Sequence, residues 1–500
     1  MKKAAIILAF TLALSTSAVI GAQLLLLASA DFIPSPPSFS PAIYIRSDGS
    51  IDPSTSPIKP VGDVYTLTNN ILGFTIVPER GNITIDGGGY TLQGNGSSRA
   101  GIFLYYGNNI TVRNMKIENF YSGVVIGSEN NIVSENIITD TTYGIWISPY
   151  ITADGPWFKG GDSIISGNTV KDNTYGITIQ ESSKNVLRNN QMSNNEVNFW
   201  VDGSLQMANF IHDIDASNTV NGKPIYYWVN ERDKTVPSDA GYVALVNSKN
   251  ITVQGLTLSH NREGVLLIST INSTISRNHI TNNVYGIRSY GTYSPDLPCS
   301  NISIIENKIT ENSEVGILLW EETNSADVVR NQITNNHVAG IESFRLKNSN
   351  IMGNKITENK DSGIALWGYG GHGNVISENH VANNGNGITI GSSENNIIYR
   401  NNLVNNTQNV IIEGSPSLLS NVWDRDNEGN YWSNYNGTDS DGDGIGNTPY
   451  VIDEYNQDNY PLMEPTTVIP KFPSWIILPL LLTAILLIII CKQKLLKTSH

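Results

Sequence analysis

The chain has 500 residues, 15 % of them charged, and a net charge of -14, which argues against nucleic acid as a partner. Its hydrophobic content of 39 % excludes disorder of the whole chain. Its two cysteines, Cys299 in a Pro-containing loop and Cys491 at the end of an apolar run, exclude a disulfide framework and a cysteine-ligated zinc site.

In chain order, Lys2 and Lys3 precede an apolar stretch from Ala4 to Ala30 that ends in Ala28-Ser29-Ala30. A charged start, an apolar core and a small-residue end predict an export signal over residues 1–30. Residues 31–60 are Pro/Ser-rich and read as an extended linker, and 61–107 as the entry cap of a repeat region.

The repeat is carried by a Gly-Ile or Gly-Val pair. Its glycines fall at 101, 123, 144, 176, 264, 286, 316, 340, 363 and 387, mostly 21 to 24 residues apart. A fixed period in this range means stacked units. Within a unit the apolar residues alternate, as in Ile302, Ile304, Ile309, Ile317 and Leu319. Period two means strands with one buried face. Strands this short cannot pair inside one unit, so they pair with the next unit in parallel. The expected fold is all-β: a parallel β-helix, or solenoid, of roughly a dozen coils. An Asn stands eight or nine residues before most of the glycines, at 114, 136, 168, 190, 278, 307, 331, 354, 379 and 401. It is expected to take left-handed backbone at a bend and to stack as an amide ladder, with the glycine supplying free angles at the next bend.

Coils are expected over 108–202 and 250–418, with an interruption at 203–249. Residues 419–465 are aromatic and acidic and read as the closing cap, followed by a linker at 466–474. Trp475 to Cys491 is seventeen residues without a charge, near the minimum for a membrane helix, and Lys492, Lys494 and Lys497 follow it. The positive-inside tendency places the tail, 492–500, in the cytoplasm and the body outside, on the outer face of the cell membrane.

Four residues past successive glycines stand Tyr290, Trp320, Phe344 and Trp367. With the positions one and three past the glycine inward, position four points outward. Four rings on adjacent rungs form a strip about 14 Å long, suited to the apolar faces of sugars. Arg288, Glu321, Glu342, Arg345 and His372 are the polar groups expected to orient a glycan or surface polymer there. The competing reading folds the long loops over the rings as a satellite core. A polysaccharide-cleaving enzyme would need two of Glu321, Glu322 and Glu342 flanking a sugar. An inert surface spacer is the remaining alternative. In the closing cap, Asp439, Asp441 and Asp443 alternate before Gly444, with Asn447 at the ninth position, as in a calcium loop. Tyr450 stands where the bidentate Glu of such a loop belongs, so a structural calcium site would be closed differently.

The Asn-x-Ile and Gly-Ile coils resemble the right-handed parallel β-helix repeats of the domain shared by carbohydrate-binding proteins and sugar hydrolases. They also resemble those of NosD-type copper-processing periplasmic proteins. "NTVNGKPIYYWVN" (218–230), "GNYWSNYNGTDSDGDGIGNTPYVI" (429–452) and "DNYPLM" (458–463) are the most specific parts of the likeness. The tail "PKFPSW" (470–475) resembles the Pro-x-Phe-Pro anchor of archaeal surface proteins, with Lys471 where an acid is usual. The likeness implies the fold and a surface location, and copper as a ligand. Copper sites want clustered His and Met, whereas the seven histidines here are scattered. Gly371-His372-Gly373 resembles the histidine motif of pectin-cleaving β-helix hydrolases, but the Asp-Asp pair of those enzymes is absent.

Overall fold

The computed structural model describes residues 41–466, apart from 97, 149–159, 294–295, 322 and 415–419. The export signal expected at 1–30 and the span expected from Trp475 to Cys491 lie outside the described residues. Among the described residues no helix is long and apolar enough to cross a membrane. The chain divides into two compact units after Val186.

The first unit is built from short parallel strands on three faces. On one face Ile102, Val124, Ile145 and Ile177 stand in register. Val112, Val133 and Ile165 do so on the second face, and Ile117, Ile138 and Val170 on the third. All ten side chains are fully buried. Alternation therefore turns every second residue into a column along the axis, and each aliphatic so buried contributes about 2 kcal/mol.

The second unit repeats the plan. Val265, Ile287, Ile317, Ile341, Ile364 and Ile388 form one inward column. Ile275, Ile304, Val328, Ile351, Ile376 and Ile398 form another. Trp423 and Trp432, both buried, close this core at the end expected to be a cap.

Coil structure extends beyond the expected limits. Ala42–Ile45 pairs in parallel with Thr75–Pro78, inside the stretch that reads as linker and cap. Within the expected interruption, Lys223–Val229 pairs in parallel with Tyr242–Val246, which pairs with Glu263–Ile268. The coils therefore resume at 223, after a departure that includes the 3-10 turn Met207–Phe210. Irregular spacing hides these rungs, because they lack the Gly-Ile pair.

The repeat asparagines form the expected ladder with a different backbone. Asn331 Nδ2 donates to Ile304 O at 2.8 Å and to Asn354 Oδ1 at 3.0 Å, while its own Oδ1 accepts from Asn307 N and Nδ2. The amide is thus fully satisfied where it is buried. The left-handed residue is the one before it: Glu135, Arg277, Glu306, Arg330, Glu378 and Arg400 all have φ between 54° and 58°. Asn114 is itself left-handed at φ 55°, and Met115 fills the ladder position of that coil. The repeat glycines also act differently from expectation. None has positive φ. A Cβ on Gly286 would lie 2.4 Å from Gly316 O and 2.7 Å from Ile309 Cγ2. Close approach of the next coil, rather than backbone freedom, requires glycine there.

Candidate ligand-binding face

In the second unit, the outward face of the sheet containing Glu263–Ile268, Tyr285–Tyr290, Ile317–Trp320, Ala339–Phe344 and Ser362–His372 holds the four predicted rings. Tyr290 pairs with Trp320, and Phe344 with Trp367, so all four lie in one column as expected. They are not equally exposed. Trp320, Phe344 and Trp367 are half-buried, whereas Tyr290 is 1 % exposed. The Phe210 ring lies edge-on to Tyr290 at 5.6 Å, so the turn Met207–Phe210 takes this ring into a covered core. Its expected place in an open strip is thereby corrected.

Trp320 and Phe344 stack with centroids 4.8 Å apart and planes 19° from parallel. Each ring therefore covers one face of the other, which leaves edges and outer faces for any partner. Trp367 lies over the α-carbon of Gly391, where a Cβ would come within 2.1 Å of its ring. Arg345 lies 5.5 Å from the Phe344 centroid and bonds the buried Glu321 at 3.1 Å. Glu321 is consequently a partner of Arg345 rather than an open carboxylate, and Glu322 lies outside the described residues. His372 is exposed at the end of the column's longest strand. Tyr369, 72 % exposed and two residues past Trp367, was not legible as part of this face because a bulge between Trp367 and Gly371 breaks the count.

Two carboxyls on this face are perturbed. Burial, with Glu314 and Asp361 nearby, pushes Glu342 up to about 7. Burial pushes Glu263 up to about 7, against the pull of Arg288 and Arg262. Arg288 Nη1 donates to Glu263 Oε1 at 3.1 Å and to Asp202 Oδ2 at 3.4 Å. The sequence singles out Arg288 alone of this group, because Asp202 reaches it from across the departure that follows.

In the cap, Asp439, Asp441 and Asp443 each bring a carboxylate oxygen within 4.8 Å of the others. The N–H groups of Gly444, Gly442 and Asp443 point at Asp439, and the Gly444 bond leads in holding its carboxyl below the usual range. Asn447 Nδ2 donates to Asp441 Oδ1 at 3.3 Å. The loop is thus pre-shaped with oxygens converging, as a hard cation requires.

The NosD family model, described as periplasmic copper-binding protein, matches residues 229–437, and the right handed beta helix region model matches residues 62–213. The chain is a right-handed β-helix repeat protein, similar to the NosD family over residues 229–437. No curated protein matches it. Among solved structures it is similar to the Azotobacter vinelandii mannuronan C-5 epimerase AlgE6 A-module, at 14 % identity over 70 % of this chain and 89 % of that one, with a TM-score of 0.34. The periplasmic alginate epimerase AlgG is similar at 14 % over 73 % of each chain, with a TM-score of 0.32. The Streptococcus pneumoniae surface protein and adhesin PfbA is similar at 10 % over 71 % and 89 %, with a TM-score of 0.25. Likenesses this low carry nothing about function.

Among the described residues, no group of three or more His, Cys, Asp or Glu side chains offers the soft donors that copper favours. Among the described residues, the one group of His, Cys, Asp or Glu side chains converging as metal ligands is the Asp439, Asp441 and Asp443 trio, which offers hard oxygens only. His212 is buried, with Nε2 3.0 Å from Asn209 O, and burial pushes it down to about 4. Cys299 is buried, and burial raises its thiol to about 11.

Proposed function

We propose that the protein binds a glycan or another surface polymer through the outward face of the second unit, without cleaving it, and is exported and held at the cell surface by the Trp475–Cys491 segment. The observation that carries this reading is the Trp320 and Phe344 stack, half-buried on the outside of the solenoid rather than in its inward columns. Partly exposed rings in a column mark an interaction surface. Trp367 continues the column, and Arg345 and His372 supply polar contacts at its edge. A glycan array probed with the full chain and with a Trp320→Ala/Trp367→Ala double variant tests it. Binding by the parent that the folded double variant loses is expected. Undiminished binding by that variant removes the column, and no binding by the parent leaves an inert spacer.

A second reading, cleavage of a polysaccharide, is favoured by Glu342, whose carboxyl holds its proton near neutral pH as a general acid must. Glu314 and Asp361, which raise it, stand beside it as the candidate second carboxylate. Release of reducing ends by the parent and not by Glu342→Gln would establish this reading.

A further inference from the structure

Beside the ring column lies a group of charged side chains that the column does not use. The Arg262 N–H donates to the Phe199 carbonyl at 3.1 Å, which brings Trp200 and Asp202 alongside Arg262 and Glu263. The Arg262 guanidinium lies 4.1 Å over the Trp200 ring and 5.4 Å from the Tyr285 centroid. Arg288 lies 5.3 Å from the same Tyr285 centroid. Two guanidinium groups therefore share one ring. Arg288 is tied to Asp202 and Glu263. Among the described residues, no carboxylate stands within ion-pair distance of Arg262.

Five polar atoms here are buried and have no hydrogen-bond partner: Arg262 Nε, Arg288 Nε, Tyr242 Oη, Tyr290 Oη and Glu263 Oε2. Four of the five can donate. A buried donor without an acceptor is costly, so a fold that keeps four of them together beside the single carboxyl oxygen Glu263 Oε2 is short of acceptors. The Arg288 and Asp202 side chains retain 16 % and 24 % exposure, so the group opens to solvent. Arg288 and Tyr290 pair in register with Leu318 and Trp320, so the group lies one rung, or about 5 Å, from Trp320, the first half-buried ring of the column.

We propose that Arg262 and Arg288 form an oxyanion site for the carboxylate or sulfate groups of an acidic glycan lying along the ring column. Guanidinium is the side chain whose planar fork matches such oxyanions, and stacking on Trp200 and Tyr285 holds the fork in place without using its N–H groups. The inference rests on the glycan-binding reading above and names the class of glycan.

The test is calorimetric titration of the full chain with polygalacturonate and its methyl ester, and with dextran sulfate and dextran, at low and high salt. The expected result is that the charged member of at least one pair binds about tenfold more tightly than its neutral counterpart, with the preference falling as salt rises. Preference in the first pair alone assigns carboxylate, and in the second alone sulfate. Arg262→Gln should remove the preference while leaving the near-ultraviolet circular dichroism unchanged, and Arg262→Lys should keep part of it. Equal binding of charged and neutral polymers, or a preference that survives in Arg262→Gln, overturns the proposal and assigns the orphaned atoms to ordered water. In those cases the glycan reading itself stands. Binding of none of the four polymers overturns the acidic-glycan proposal and leaves the glycan reading to the array.

Discussion

Gly340 stands so close to the next coil that a Cβ on it would lie 2.8 Å from the Gly363 carbonyl oxygen and 2.6 Å from Ile356 Cγ2. Alanine at 340 must push coils apart, and overpacking of this kind costs about 1–3 kcal/mol. Gly340→Ala should lower the melting temperature by several degrees in a thermal scan. Alanine at Gly353, where φ is +65°, has room around its Cβ and meets backbone strain alone, so a smaller loss is expected. Equal melting temperatures for wild type and Gly340→Ala would contradict the close-approach account.

The amide ladder gives a second test. Asn331→Asp keeps the acceptors but removes the two Nδ2 donations, to Ile304 O and Asn354 Oδ1. A carboxylate would then face two oxygens in a buried column. The expected loss is about 3 kcal/mol or more, read as a shift in the urea midpoint.

Two buried carboxyls, Glu263 and Asp458, and the half-buried Glu342 set a pH dependence. Burial raises Glu263 and Glu342 to about 7 and Asp458 to about 6. Each folded value lies above the ordinary one, so the folded state holds more protons across the window between them. Stability is then greatest below the ordinary carboxyl range and falls as pH rises through about 6 to 7. The melting temperature of the second unit should drop between pH 5 and pH 8, with the slope reduced in Glu342→Gln. A rise across that range would contradict the assignment.

Calcium at the Asp439, Asp441 and Asp443 loop should stabilise the cap by mass action. Millimolar calcium is expected to raise the melting temperature of the full chain by a few degrees, and Asp441→Asn/Asp443→Asn should abolish the increase. A parent melting curve indifferent to calcium would rule the site out.

Most of the solenoid was legible because its two signals are periodic. The Gly-Ile pair marks the sheet that carries the ring column, and the asparagine marks the ladder. What each residue does was less legible. The sequence places both at bends, yet the left-handed positions belong to residues such as Glu306 and Arg330, just before the ladder. Glycine's role depends on a carbonyl one coil away, which no local pattern contains. Of the ring column, the spacing found all four members but not the cover on Tyr290, because Phe210 arrives from a turn outside the repeat. Arg262 and Asp202 were missed for the same reason. They meet through the Arg262 N–H to Phe199 carbonyl bond, across some sixty residues of chain.

The most direct test of the central claim is hydrogen–deuterium exchange of the full chain with and without the best-binding glycan from the array. Protection confined to the strands Tyr285–Tyr290, Ile317–Trp320, Ala339–Phe344 and Ser362–His372 is the predicted result. Protection that falls instead on the first unit or on the closing cap, with these four strands unchanged, would contradict it.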